Sequence, residues 1–304
     1  MNAHVHSYKK VLAASERVRW RVEDLINDTK RLDFARPFLP ETLARVDALD
    51  FLDARQRTVL NQIRGHNYLY LIGLVEEFIL PFVLDHARDN GEDNDARTRA
   101  LLTFATEEAK HIDLFKRLRA SFLADFATPC EVIGPAKSIA EAVLAHDPLS
   151  VALVILHIEW MTQRHFLDSI KDDRALDPVF KDLLRHHWME EAQHAQLDTL
   201  MVEDLAAGRD ASGIAAAIDG YLAIGGLIDG GLEQQVAFDL DSFERATGRV
   251  LTAAERARAT DVQTQAMRWT FLGSGMTNPS FVASVGSLSL EARTRVETVA
   301  PAFC

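Results

Sequence analysis

Helical periodicity runs through most of the chain, and the strict alternation of a half-buried strand is scarce. Apolar positions recur at three- and four-residue spacing from about Asp53 to Arg88. They predict a first long helix that ends at the polar stretch DNGEDND, Asp89 to Asp95. A second helix is predicted from about Ala96 to Phe126, before the breakers of TPCEVIGP, Thr128 to Pro135. SIAEAVLAH, Ser138 to His146, reads as a short extra helix. A third long helix spans about Pro148 to Lys171, DDRALD makes a turn, and a fourth spans about Pro178 to Ala207. Two helical hairpins joined by a crossover of about 20 residues are the connectivity of an all-α four-helix bundle with one long connection.

The segment from about Ser212 to Cys304 is also helical in pattern, with a capping box from Thr252 and Glu255 in LTAAE. These helices, and others before the bundle, are expected to pack on it as extra layers. No linker rich in Pro, Gly or Ser divides the chain. Residues 1–304 therefore read as one domain, with a bundle core at about 53–207 and a C-terminal extension at about 212–304.

One word breaks the apolar pattern. In EEAKH, Glu107 to His111, a carboxylate (Glu108) and an imidazole (His111) share the face of Leu101, Phe104, Ala105, Ile112 and Phe115. The explanation is an internal repeat. TEEAKHIDL, Thr106 to Leu114, recurs as MEEAQHAQL, Met189 to Leu197, at an offset of 83 residues, so that Glu108 maps to Glu191 and His111 to His194. The same offset maps Glu76 onto Glu159, Val75 onto Ile158 and Asp85 onto Asp168. In each hairpin the lone Glu precedes the Glu of Glu-x-x-His by 32 residues. The repeat thus favours Glu76 over its neighbour Glu77, which points about 100° away on a helix.

Residues three apart lie on one helix face, so Glu108 points with His111 and Glu191 with His194. Two packed hairpins would gather four carboxylates and two imidazoles around one point. Four buried carboxylates without counter-charge are prohibitively costly. Two divalent cations would neutralise them, and oxygen and imidazole donors suit iron or manganese.

Composition narrows the context. Of 304 residues, 48% are hydrophobic and 26% charged, the balance of a globular domain. The net charge of −12 argues against a nucleic-acid partner, which needs a basic face. No unbroken run of about 18 apolar residues exists, so no membrane span is expected. MNAHVHSYKK lacks the pattern of a signal peptide. Two cysteines, Cys130 and Cys304, make no disulfide framework, and a cytoplasmic location is expected.

With Glu76, EAKH, Glu159 and EAQH in place, the stretch from about Asp53 to Ala207 resembles the ferritin-like di-iron carboxylate proteins. Ferritins proper end after the bundle. Phe115 stands where ribonucleotide reductase small subunits carry a radical Tyr, and no Cys-x-x-Cys pair supports a rubrerythrin-type module. HWMEEAQH adds His187 four residues before Glu191. Positions 187, 191 and 194 fall within an arc of about 60°, and the repeat mate of His187 is Phe104. This His-x-x-x-Glu-x-x-His pattern resembles the arylamine N-oxygenase family.

The resemblance implies His187 as a seventh metal ligand beside Glu76, Glu108, His111, Glu159, Glu191 and His194. It also implies that Glu107 and Glu190 each accept a hydrogen bond from the metal-bound His of the opposite hairpin. The family typically has Asp at those two places, and Glu is longer. The implied cofactor is two iron ions, with Mn/Fe as the variant. The implied activity is dioxygen activation to oxidise a small, mostly apolar or aromatic molecule, N-oxygenation of an amine first, with an electron donor and a homodimer as expected partners. A non-oxygenase iron-binding or ferroxidase protein and a Mn/Fe ligand-binding oxidase are the alternatives.

Overall fold

A computed structural model describes residues 7–27, 29–88 and 95–304. The short helices α1 (Tyr8–Ser15), α2 (Val22–Leu25) and α3 (Glu41–Ala44) precede the bundle. The first hairpin is α4 (Ala54–Arg88) with α5 (Asp95–Phe126). Residues 89–94, most of the turn expected between them, lie outside the described residues. The crossover carries α6 (Ala136–Leu144). The second hairpin is α7 (Pro148–His165), extended by a π-helical turn over Phe166–Ile170, with α8 (Pro178–Ala206). Then come α9 (Ala211–Thr247), α10 (Ala253–Arg268), a second π turn (Trp269–Gly273), α11 (Ser274–Met276), α12 (Pro279–Leu288) and α13 (Leu290–Val299). Among the described residues there is no strand, only an isolated bridge between Asn27 and Lys30.

Local chemistry sets the helix starts. Both halves of the second hairpin begin Asp-Pro. Asp147 accepts from the backbone N–H of Leu149, and Asp177 from that of Phe180, while Pro148 and Pro178 occupy the first turn, where no helical N–H partner exists. The capping box of Thr252 and Glu255 forms at α10. The third long helix departs from the sequence expectation near its end. The expected α-helix to Lys171 becomes a π turn after His165, the kind of local bulge that occurs where a side chain's aim matters.

The hairpins pack α4 on α5 and α7 on α8, and α5 touches α8. Two outer helices close the bundle on opposite sides. α1 lies across α5 and α8, and α9 lies across α4 and α7. By length and composition α4 and α9 could each cross a membrane. Of their most apolar windows, 67% and 33% respectively are buried inside the protein, so the α4 window is core packing.

The α7–α9 contact depends on a glycine. A methyl group on Gly220 of α9 would lie 2.9 Å from Ser150 Cβ and overlap its hydroxyl, which donates to Ala217 O at 2.9 Å. Gly220→Ala gains about 1 kcal/mol in helix propensity but overpacks the contact by about 2–3 kcal/mol. A net loss of about 1–2 kcal/mol is expected in urea denaturation. A midpoint at or above wild type would show that α9 is not held at this spacing.

Candidate metal centre

The four long helices bring the repeat residues to one place. Glu76 on α4, Glu108 and His111 on α5, Glu159 on α7, and His187, Glu191 and His194 on α8 are all buried. Ligand-type atoms of Glu76, His111, His187 and Glu191 lie within 4.8 Å of one another, and so do those of Glu108, His111, Glu191 and His194. Glu191 and His111 belong to both groups. Glu159 belongs to neither; it faces Glu191, whose charge adds to burial in holding its carboxyl well above the usual range. Glu77, the neighbour passed over, points outward and pairs with Lys116 at 2.8 Å.

The hydrogen bonds cross between hairpins. His111 Nε2–H donates to Glu190 Oε2 at 2.8 Å, and His194 Nε2–H donates to Glu107 Oε2 at 2.9 Å. Each outer Glu thus binds the imidazole of the opposite hairpin, and the length of Glu does not prevent it. The consequence is a fixed tautomer. With Nε2–H committed to the outer carboxylate, Nδ1 of both rings faces the cluster, and in the neutral ring it presents its lone pair there. His111 Nδ1 stands 3.2 Å from Glu191 Oε1 and 3.7 Å from Glu76 Oε1. His194 Nδ1 stands 2.9 Å from Glu108 Oε1 and 3.4 Å from Glu191 Oε1. These atoms are close but not aligned as hydrogen bonds. His111 Nδ1, His194 Nδ1, Glu191 Oε1, Glu76 Oε2, Glu159 Oε2 and both oxygens of Glu108 are buried without a hydrogen-bond partner. Inward-facing donor atoms left unsatisfied are what cations would satisfy.

His187 joins from one turn earlier on α8. Its Nε2 is 3.0 Å from both Glu76 Oε1 and Glu191 Oε1. It packs edge-on against His111, centroids 4.6 Å apart, whereas its repeat mate Phe104 packs against His194 at 4.3 Å. The two halves therefore place equivalent rings in equivalent positions, and only one ring carries a donor nitrogen.

Protons neutralise this centre in the metal-free protein. Burial pushes the Glu76 carboxyl up to about 8, against the pull of its His187 hydrogen bond. Burial would lower the histidines, but carboxylates reverse this. Glu190 and Glu191 raise His111 to about 10, Glu191 and Glu76 raise His187 to about 8, and Glu191 with Glu107 holds His194 well above its ordinary value. Glu191, although buried, is held well below the carboxylate range by His187 and His194.

A further layer comes from segments whose part in the site the local pattern did not signal. Ser15, the last residue of α1, donates to Glu107. Trp20 stacks on His111 with ring planes 7° apart, and Lys110 Nζ lies 3.9 Å over the Trp20 ring. Lys110 also donates to Glu190 at 2.5 Å, and Gln193 to both oxygens of Glu107 at 3.1 Å. Lys110 and Gln193 are repeat mates at the offset of 83, a signal that would have found them. Asp198, the repeat mate of Phe115, is buried with Oδ2 unpartnered, and burial raises its carboxyl well above the usual range. The other histidines near Glu159 are structural. His157 bonds Tyr221 and the Phe271 carbonyl, and His165 bonds Tyr68 and Ser274. Trp188 stacks on Phe166 at 4.5 Å, and Trp160 is a half-buried packing residue.

A bundle of long helices around a buried carboxylate–histidine cluster places the chain among the ferritin-like carboxylate-bundle oxidoreductases. The family model described as p-aminobenzoate N-oxygenase AurF matches residues 5–213, and the chain belongs to that family. It is an oxygenase family, whose chemistry consumes dioxygen and a small-molecule substrate. Among solved structures, a variant of an R2-like ligand-binding oxidase with a Mn/Fe cofactor is 14% identical, covering 92% of this chain and 95% of that one with a TM-score of 0.48. Another variant of such an oxidase, with an Fe/Fe cofactor, is 14% identical, covering 87% and 94% with a TM-score of 0.47. No curated protein sequence matches the chain.

Proposed function

We propose that Glu76, Glu108, His111, Glu159, His187, Glu191 and His194 hold two metal ions, iron in both positions or manganese and iron, and that the enzyme N-oxygenates an amine. The observation that carries this reading is the pair of crossed hydrogen bonds. They aim Nδ1 of His111 at Glu191 Oε1 and Nδ1 of His194 at Glu108 Oε1, two carboxylate oxygens without a hydrogen-bond partner. When bound, the metals would supply the binding and reduction of dioxygen. The protein's part is to orient and exclude. Glu107 and Glu190 fix the imidazoles, and the buried phenyl rings of Phe104 and Phe115 keep water from the histidine side. The reaction balances as amine plus dioxygen, two protons and two electrons giving hydroxylamine and water. An external one-electron donor of the reduced ferredoxin or flavin class supplies the electrons.

The test is single-turnover oxidation. Full-length protein loaded anaerobically with Fe(II), given a chemical reductant, is exposed to ¹⁸O₂ with an aromatic amine. The expected product is the hydroxylamine carrying one ¹⁸O, seen by mass spectrometry. Amine recovered unlabelled, with the iron oxidised, would favour a ferroxidase instead.

Glu190→Gln keeps hydrogen-bonding capacity beside His111 but removes the charge. Retention of most of the metal is expected, with affinity weakened about 10- to 100-fold, and Glu107→Gln should behave alike at His194. Metal titration with a competing chelator measures this. Complete loss of both metals in the Gln variants would mean that the outer carboxylates are themselves ligands.

A further inference from the structure

The two sides of the centre are built differently. On the α5/α8 side, α1, Trp20 and the Glu107 and Glu190 hydrogen bonds cover the histidines. On the α4/α7 side, under α9, lies a cavity of about 310 Å³. Its inner wall includes Leu74, Val75, Phe78, Ile158 and Phe271. Val75 and Ile158 are repeat mates, and each immediately precedes a candidate ligand, Glu76 or Glu159. The inner wall thus stands one residue along α4 from Glu76 and one residue along α7 from Glu159. Outward, the cavity opens between α6 and α9, past Ser138, Ala142, Gln234 and Leu227, the last 55% exposed. Its size is at the lower end of small-molecule sites.

Charge selects what can enter. Among the described residues that line the cavity none is Lys, Arg, His, Asp or Glu, and Ser138 and Gln234, both at the mouth, are the polar side chains. An ionised carboxylate there would lose its hydration without a counter-ion or a set of donors to replace it. An alkylammonium ion would meet the same penalty. An aromatic amine is uncharged at neutral pH and meets neither.

We infer that this cavity is the substrate pocket, entered between α6 and α9, and that it takes an uncharged aromatic amine with an apolar body in place of a benzoate-type anion. This rests on the N-oxygenase reading for the amine, while the exclusion of charge rests on the lining alone. The family model is described by p-aminobenzoate; the amine inferred here differs from p-aminobenzoate in lacking the carboxylate.

The experiment is equilibrium dialysis of the full-length, metal-loaded protein with 4-butylaniline and with p-aminobenzoate. The butylaniline should bind at least about 10-fold more tightly. Ala142→Phe, at the exposed mouth, should weaken butylaniline binding by about 10-fold. Ile139→Arg sets a cation on the half-buried wall of α6 and should raise p-aminobenzoate affinity by about 10-fold. Circular dichroism of each variant confirms that the helices remain. Equal affinity of the two ligands for wild type, or two folded variants that bind both as wild type does, would overturn the assignment. Butylaniline that binds as expected but is never oxidised in the ¹⁸O₂ assay would leave the pocket standing and bring down the N-oxygenase reading.

Discussion

Glu191→Ala is expected to bind fewer than one metal ion per chain under anaerobic Fe(II) loading, where the wild type binds two. The reason is the position of a single oxygen. Glu191 Oε1 lies 3.0 Å from His187 Nε2, 3.2 Å from His111 Nδ1 and 3.4 Å from His194 Nδ1, and Glu191 is common to both groups of clustered donors. Removing it takes an anion from each half of the centre and leaves three imidazoles facing one another. Losing a residue common to both donor groups should cost more than losing an outer residue, so the loss of affinity should exceed the roughly 100-fold upper range of the Glu190→Gln effect. Glu77→Ala is the matched control. That carboxylate sits one residue from Glu76, but it is paired with Lys116 at the surface, and both metals should remain. Elemental analysis after dialysis decides the matter, and two metals retained in Glu191→Ala would remove Glu191 from the ligand set.

The metal-free and metal-loaded proteins should respond to pH in opposite directions. Glu76 is raised from 4.5 to about 8, so the folded state keeps a proton that the unfolded chain gives up. Its contribution to stability is full below pH 4.5 and is lost as pH rises toward 8. His111 and His187 are raised from 6.5 to about 10 and about 8. Their contributions are full below pH 6.5 and disappear as pH rises through those values. Glu191, depressed, acts the other way, but only below its ordinary 4.5. Between pH 6.5 and 8 all three raised groups therefore lose stabilising power together. The chelator-treated protein should lose about 5 °C or more in Tm over this window.

Metal binding instead requires deprotonated carboxylates and neutral imidazoles, so affinity increases as pH rises. Stabilisation by ligand grows with the ratio of free metal to Kd, and the gap in Tm between Mn(II)-loaded and metal-free protein should widen from pH 6.5 to 8. Thermal melts at constant ionic strength measure both curves. A metal-free Tm that climbs with pH would show that protonated histidines do not hold the carboxylates in the absence of metal.

Much of this was legible along the chain because helices encode themselves locally. A residue's face depends on its neighbours three and four positions away, so the long helices and the inward aim of Glu108 with His111 follow from spacing alone. Duplication supplied the rest of the candidate centre. An offset of 83 residues singled out Glu76 and Glu159, which stand in no motif of their own, and separated Glu76 from Glu77. The exception to that symmetry, His187 in place of a second Phe, was visible as a broken repeat. Its contact with Glu76 was not, since that is a distance between two helices, α8 and α4.

What tertiary structure alone decided lies between elements far apart in sequence. Ser15 meets Glu107 across 92 residues, and no periodicity relates the two. Trp20 reaches His111 because α1 happens to cover the α5/α8 side. Glu159, equivalent to Glu76 in the repeat, stands outside the tight donor groups because duplication preserves register on a helix, not the spacing between helices. The apolar cavity arises the same way. α9 reads from its sequence as part of a helical extension, and only its placement over α4 and α7, with Gly220 against Ser150, leaves a space with no charged lining between α4, α6, α7 and α9. A cavity is the volume that side chains from several helices fail to fill, and that volume is fixed by crossing angles and close approaches that no single helix contains.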